Sequence, residues 1–182
     1  MPKLVKHLTI FSLIASLAAA SSFYWTRSGA LLTLAVTFGT AAYHLGVRHL
    51  VGSIYDARMG DRADLTRSWY QPRPWEKRLY ELLRVKRWKD RMPTYYPETF
   101  SPKLHTWEEI AQAMCQAELV HETNVLLSFV PLVFSLWVGA FPVFLITSLG
   151  GALFDLMLVM IQRYNRPRIV RLARRKGKNL YS

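Results

Sequence analysis

Residues 123–154 read TNVLLSFVPLVFSLWVGAFPVFLITSLGGALF and contain no Asp, Glu, Lys or Arg. A bilayer core of about 30 Å accommodates about 20 helical residues. The run of 32 residues is therefore too long for one span, and it supports two spans only if each extends into the polar residues beyond it. Gly139 and Pro142 mark the predicted turn between the two helices of this hairpin.

Two further charge-free runs lie between Lys6 and Arg27 and between Arg27 and Arg48. The first has the charge pattern of a signal peptide, but its apolar stretch is long for one, so we interpret it as a retained span. The sequence therefore predicts an all-α integral membrane four-helix bundle that forms a single domain over residues 1–182. The predicted spans are about 8–25, 30–51, 112–136 and 141–163.

The charged residues are segregated from these runs. The chain carries 24 Lys+Arg against 12 Asp+Glu, a formal net charge of +12. Twelve of the basic residues lie in residues 53–107 and eight in residues 163–182. Because basic segments favour the cytoplasmic side, we expect a multi-pass protein of the cell membrane with both termini in the cytoplasm. This distribution accounts for the positive charge without nucleic acid as a partner, and it excludes a soluble globular enzyme.

The cytoplasmic segment 53–107 is too polar to span a membrane. Between Pro74 and Met92 its apolar residues alternate with basic ones, which predicts an amphipathic helix that ends before Pro93. This helix lies at the membrane interface or packs on the protein's own cytoplasmic face, and the sequence leaves both alternatives open. Thr106 and Glu109 form a capping box that starts the third long helix. A basic cytoplasmic tail, residues 164–182, follows the fourth span.

Ionisable residues inside the predicted spans are candidates for a functional site. Glu118, His121 and Glu122 lie on one helical face, since they are spaced at i, i+3 and i+4. When the hairpin is folded about residue 138, His121 and Asp155 are each 17 residues from the turn and lie at matching depth. A histidine held by a carboxylate can take a proton from a hydroxyl group. The alternative is that these side chains only join helices.

A second polar string, Gln162-Arg163-Tyr164-Asn165-Arg166-Pro167-Arg168, closes the fourth span. Pro167 is predicted to stop the helix. Arginine forks bind phosphate in a bidentate way, so the string is a candidate contact for an acyl donor. The alternative is a purely topological anchor.

Other kinds of site are poorly supported by the sequence. There is no Gly-rich phosphate loop and no G-x-S-x-G motif, and the lone Cys115 and the intramembrane His44 are interpreted as packing residues. A metal site has suitable ligand types but lacks paired histidine spacings, so no metal is predicted. The metal ligands would be Glu118, His121, Glu122, Asp155 and His44.

Three strings of residues resemble the glycosyl-4,4'-diaponeurosporenoate acyltransferase family. They are Arg87-Trp88-Lys89-Asp90, Ala117-Glu118-Leu119-Val120-His121 and Ile161-Gln162-Arg163-Tyr164-Asn165-Arg166-Pro167-Arg168. The similarity covers about residues 75–175. It implies an enzyme of staphyloxanthin-type carotenoid biosynthesis that esterifies a fatty acyl chain to the sugar of a glycosylated carotenoid. Asp155 departs from the Asn that the resemblance leads us to expect.

The residue patterns and the resemblance together predict a membrane-embedded O-acyltransferase with a histidine–carboxylate general base. Its partners would be membrane lipid, a lipid-linked sugar acceptor, and an acyl donor such as acyl-CoA or a lipid, with no other cofactor. The predicted catalytic residues are His121, Glu118 and Asp155, and the predicted substrate-binding residues are Gln162, Arg163, Tyr164, Asn165, Arg166 and Arg168. Two alternatives remain open: a non-enzymatic lipid-binding or subunit protein, and a metal-dependent lipid-modifying enzyme.

Overall fold

The computed structural model describes the backbone of residues 2–179 and the side chains of residues 3–175. It is 82% helical, and no strand occurs among the described residues. Four of its helical stretches are long and apolar enough to cross a membrane: Lys3–Thr26, Gly29–Met59, Trp107–Val138 and Phe141–Arg175. The predicted all-α fold with four helices long and apolar enough to cross a membrane is confirmed.

The first two helices are α1 (Pro2–Thr26) and α2 (Gly29–Met59). Small residues bring them close together, because a Cβ on Gly39 would lie only 3.0 Å from the Ser16 hydroxyl oxygen. That hydroxyl donates a hydrogen bond to the Ala35 carbonyl oxygen at 2.8 Å. The contact follows a pattern common in membranes, where small side chains allow backbones to approach.

The polar segment between the second and third spans forms short helical pieces. Two of them are α3 (Pro74–Leu82) and α4 (Val85–Trp88). The rest are single 3₁₀ turns at Ser68–Tyr70, Lys89–Arg91 and Pro97–Phe100. The single amphipathic helix predicted from Pro74 to Met92 is therefore wrong in its extent. Arg84 has a left-handed φ of 52°, which an uninterrupted α-helix cannot contain.

The third span consists of α5 (Trp107–Leu127) and α6 (Pro131–Val138). The predicted capping box is confirmed, since Glu109 N donates to Thr106 Oγ1 at 3.2 Å and Thr106 N donates to a Glu109 carboxylate oxygen at 2.7 Å. Pro131 has no N–H for the carbonyl of Leu127 four residues earlier. That carbonyl accepts instead from the Tyr43 hydroxyl at 3.0 Å and from Val130 N at 3.1 Å.

The fourth span belongs to α7 (Phe141–Asn179), which has 39 residues. The predicted turn before it is confirmed, because Gly139 and Ala140 both have positive φ values, 73° and 54°. The prediction that Pro167 stops the helix is wrong, since Pro167 lies inside α7. Proline removes one backbone hydrogen bond, that to the carbonyl of residue 163. The side chains of α7 make tertiary contacts on this stretch that keep the helix continuous, as described below.

The chain divides into two compact units. The first contains the residues up to Val51 together with Thr123–Asp155, and the second contains Gly52–Glu122 together with the residues from Leu156 onward. Asp155 belongs to the first unit, whereas the other predicted site residues belong to the second. The single domain stays a prediction, and the last residues of the predicted basic tail, 180–182, lie outside the described residues.

Candidate functional site

The second unit contains a buried ion-pair cluster centred on Glu118 of α5. The Glu118 side chain is fully buried. Its two carboxylate oxygens accept hydrogen bonds from Arg163 and Arg166, one guanidinium group to each oxygen. The two arginines are three residues apart on α7 and so lie on one face of that helix. One carboxylate therefore joins α5 to two consecutive turns of α7.

Arg163 uses all five of its N–H groups inside the protein. Its Nε and Nη2 donate to one oxygen of Glu76 at 2.9 and 2.5 Å. Its Nη1 donates to Glu118 and to the Trp69 carbonyl at 3.0 Å, and Nη2 also donates to the Gln71 carbonyl at 3.2 Å. A guanidinium group has five donors in total. Arg163 therefore fastens residues 69–76 to α5 and α7.

Glu76 is the second carboxylate of the cluster, and it is only 3% exposed. The Tyr80 hydroxyl donates to its other oxygen at 3.3 Å. Burial and the negative charge of Glu76 raise the pKa of Tyr80 to about 12. The Tyr80 ring meets the Tyr164 ring edge-on, with centroids 5.8 Å apart. Glu76 in the first turn of α3 and Tyr80 one turn later thus hold α3 against α7, by charge and by aromatic packing respectively.

Arg166 is also 3% exposed. Its Nη2 donates to the Tyr70 carbonyl at 2.6 Å, and its guanidinium carbon lies 5.3 Å from the centre of the Tyr70 ring. We call Glu76, Glu118, Arg163 and Arg166 the Glu118 cluster. Two carboxylates face two guanidinium groups, so the charges within the cluster balance, as buried charges require.

The remaining predicted site residues of the second unit surround this cluster along α5 and α7. His121 is half-buried, one turn after Glu118. Its neighbour Glu122 accepts a hydrogen bond from the Trp69 indole at 3.0 Å. On α7, Arg168 is exposed. The half-buried members of the string on α7 are Gln162, Tyr164 and Asn165. The structure therefore joins Glu118, Arg163 and Arg166 directly, while the catalytic and binding roles assigned from the sequence stay predictions.

Asp155, in the first unit, is fully buried and pairs with Arg48 of α2 at 2.5 Å. Arg48 also donates to the carbonyls of Gly151 and His44, each at 3.0 Å. The expectation that Asp155 orients His121 stays a prediction, because the two residues belong to different units.

Sequence reasoning missed two partners in these ion pairs. Arg48 ends the second charge-free run, and the sequence does not identify its counter-charge, although a charge inside a span requires one. Glu76 is not among the residues that the sequence singles out, although it is an acid in the first turn of α3, two residues after Pro74. An acid in a first helical turn has a sufficient local explanation in the helix dipole, so the sequence did not identify its long-range role.

The alternative of a metal site requires several His, Cys, Asp or Glu side chains close together. Among the described residues, no group of three or more His, Cys, Asp or Glu side chains is placed to hold a metal ion. Two of the ligands considered for such a site, Glu118 and Asp155, pair with arginines instead.

The fold is that of an all-α protein with four helices long and apolar enough to cross a membrane. A family model described as glycosyl-4,4'-diaponeurosporenoate acyltransferase matches residues 66–175, more than half of the chain. The chain belongs to this family, which implies acyltransferase activity in carotenoid biosynthesis, and the resemblance noted in the sequence is confirmed. No curated protein and no solved structure matches the chain. All four residues of the Glu118 cluster lie inside the matched range, whereas Arg48 precedes it.

Proposed function

We propose that this protein transfers a fatty acyl chain to a sugar hydroxyl of a glycosylated, carotenoid-like lipid in the cell membrane. The family match over residues 66–175 carries this proposal. The four helices that are apolar enough to cross a membrane support it, since both substrates have long apolar chains. The acceptor is a lipid-linked sugar and the donor is an acyl-CoA or a membrane lipid.

His121 is the proposed general base. The matched range contains two histidines, His105 and His121, and His105 precedes α5. The imidazole takes the proton of the acceptor hydroxyl while the hydroxyl oxygen attacks the acyl carbonyl carbon. The tetrahedral intermediate then collapses, the bond from the acyl carbon to the donor breaks, and the leaving thiolate or alkoxide takes the proton back from the imidazolium. No metal and no further cofactor is needed to balance this step.

The Glu118 cluster supports a positioning role in this scheme. Glu118 lies one turn before His121 on α5, and its two ion pairs to α7 fix the position of that turn. We propose that this holds His121 opposite Gln162, whose amide contacts the oxyanion or the donor head group. Asp155 remains the alternative partner that orients the imidazole.

Donor binding is assigned to the string on α7. The five N–H groups of Arg163 are already engaged by protein oxygens. The exposed Arg168 is therefore the proposed contact for a donor phosphate, with Tyr164 and Asn165 lining the same stretch. The buried Arg166 positions this stretch through its ion pair with Glu118. We place both termini and this stretch in the cytoplasm, where an acyl-CoA is available, because the basic segments favour that side.

A direct assay tests the proposal. The purified protein in phospholipid nanodiscs is incubated with glycosyl-4,4'-diaponeurosporenoate and palmitoyl-CoA, and products are measured by mass spectrometry. We expect the mass of one acyl chain to be added to the acceptor. A second arm omits the acyl-CoA, so that an ester formed there identifies the phospholipid as donor. A folded protein that forms no ester in either arm contradicts the proposal and favours the lipid-binding alternative, and activity that vanishes with chelator favours the metal-dependent one.

A further inference from the structure

The first unit contains a group of buried polar atoms that have no described partner. They are Nε2 of His44, Nε of Arg48, both side-chain amide atoms of Asn124 and the hydroxyl oxygen of Ser148. His44 is 8% exposed, Asn124 is 3% exposed and Ser148 is fully buried. Buried polar atoms in proteins are almost always hydrogen-bonded to protein or to an ordered small molecule. Several such atoms in apolar spans therefore indicate a bound group.

These side chains come from three helical stretches that converge at Gly151 of α7. A Cβ on Gly151 would lie 2.9 Å from Cε1 and 3.0 Å from Nδ1 of the His44 ring, and 3.2 Å from the Ser128 hydroxyl oxygen. Ser128 follows α5 directly, and its hydroxyl donates to the backbone carbonyl of Asn124, one turn earlier, at 2.8 Å. Ser148 lies one turn before Gly151 on α7. We call His44, Asn124, Ser128 and Ser148 the His44 cluster.

The adjacent charges determine what kind of group the His44 cluster binds. Arg48, one turn after His44 on α2, pairs with Asp155, one turn after Gly151 on α7. The guanidinium charge is thus already neutralised. An anion would bring an uncompensated charge into an apolar region, which is strongly unfavourable.

The free atoms of the cluster include both donors and acceptors. Asn124 contributes two N–H donors and a carbonyl acceptor, Ser148 contributes one donor and two acceptor positions, and Nε2 of a neutral His44 is a donor or an acceptor according to its tautomer. A hydroxyl group also donates one hydrogen bond and accepts two.

We propose that the His44 cluster is an intramembrane binding site for an uncharged hydroxyl group, supplied by water or by a polyol head group. The site uses none of the residues assigned to proton transfer or donor binding, so it stands independently of the proposed acyl transfer. Gly151 lies against this site and leaves it open, because any larger residue would occupy the space between His44 and Ser128.

The sign of a stability change tests whether the site is occupied. If a hydroxyl group is bound, Ser148→Ala and Asn124→Leu each remove a partner and should lower the melting temperature of the protein in nanodiscs by about 2–4 °C. The matched control is Thr147→Val, because the Thr147 hydroxyl is bonded within its own helix to the carbonyls of Val143 and Phe144. Replacing an unsatisfied buried polar group by an apolar one is neutral or stabilising. An unchanged or raised melting temperature in Ser148→Ala therefore overturns the proposal.

Solid-state NMR then distinguishes the two sources. The protein is labelled with ¹⁵N at asparagine side chains in phospholipid vesicles without sugars, and the Asn124 amide signal is assigned by its loss in Asn124→Leu. We expect magnetisation transfer from water to that amide. On addition of n-octyl-β-glucopyranoside, a persistent water transfer identifies water as the ligand, and its replacement by transfer from the glucoside identifies a polyol hydroxyl. No transfer from either molecule overturns the proposal.

Discussion

Glu118 of α5 and Arg166 of α7 form a buried ion pair in which each side chain is at most 4% exposed. The two residues belong to the strings Ala117–His121 and Gln162–Arg168, which are separate in the sequence. The ion pair brings these two strings into contact. Arg163, on the same face of α7, forms a second ion pair with Glu118. Both strings lie inside residues 66–175, the range that the family model matches.

Removal of Glu118 should destabilise the protein strongly. In Glu118→Ala, two buried guanidinium groups lose a shared counter-charge, which costs about 3–5 kcal/mol when a buried pair is broken. Thermal unfolding in detergent should therefore occur at a clearly lower temperature. The matched control is Glu122→Gln on the same helix, since Glu122 accepts one hydrogen bond from the half-exposed Trp69. Equal melting temperatures for the two variants would mean that the Glu118 cluster contributes little.

His121→Ala tests the proposed base. Loss of general-base help should lower kcat by roughly 100- to 10,000-fold, while the melting temperature and membrane insertion are retained. His105→Ala is the control, because the His105 side chain is 41% exposed and precedes α5. The rates are measured with the mass-spectrometric assay described above. A His121→Ala protein with near-normal turnover would rule out this residue as the base.

Arg168→Ala tests donor binding separately from stability. Arg168 is exposed, so its loss should leave the melting temperature unchanged and raise KM for an acyl-CoA donor, since a phosphate contact is lost. Arg171→Ala is the control on the same helix, where the arginine donates to the Pro167 carbonyl at 3.2 Å. Identical KM values for the two variants would mean that Arg168 does not bind the donor and that the basic string only determines the membrane topology.

Two adjacent glycines of α7 should respond differently to alanine. Gly151→Ala places a methyl group 2.9 Å from the His44 ring and should lower the melting temperature. At Gly150 nothing lies within 4 Å of the added carbon, and alanine is the better helix former by about 1 kcal/mol. Gly150→Ala should therefore be neutral or stabilising. Similar effects at both positions would contradict the close approach of α2 to α7.

Topology is tested by cysteine labelling in a Cys115→Ala background. Cysteines at Gly60 and Arg174 should react only with reagents that reach the cytoplasm, whereas a cysteine at Ser28 should react from outside. The expectation rests on the four membrane-crossing helices and the basic segments that follow the second and fourth of them. Labelling of position 174 from outside would remove the proposed cytoplasmic site for the acyl donor.

The sequence alone determined the features that depend on near neighbours in the chain. The four helices long and apolar enough to cross a membrane follow from the length and apolarity of the runs, which need no knowledge of packing. The capping box of Thr106 and Glu109 and the turn at Gly139 also involve only a few consecutive residues. These local features all appear in the structure.

Only the tertiary structure decided the charge partners, because a pairing depends on which helical faces meet and not on spacing along the chain. Depth matching from the sequence predicts that Asp155 lies opposite His121, which stays a prediction, and the structure adds Arg48 as an ion-pair partner of Asp155. In the structure, Arg163 likewise forms ion pairs with both Glu118 and Glu76. The same contacts explain why α7 continues through Pro167: the ion pairs at Arg163 and Arg166 hold the preceding turns in place, so the loss of one backbone hydrogen bond does not end the helix.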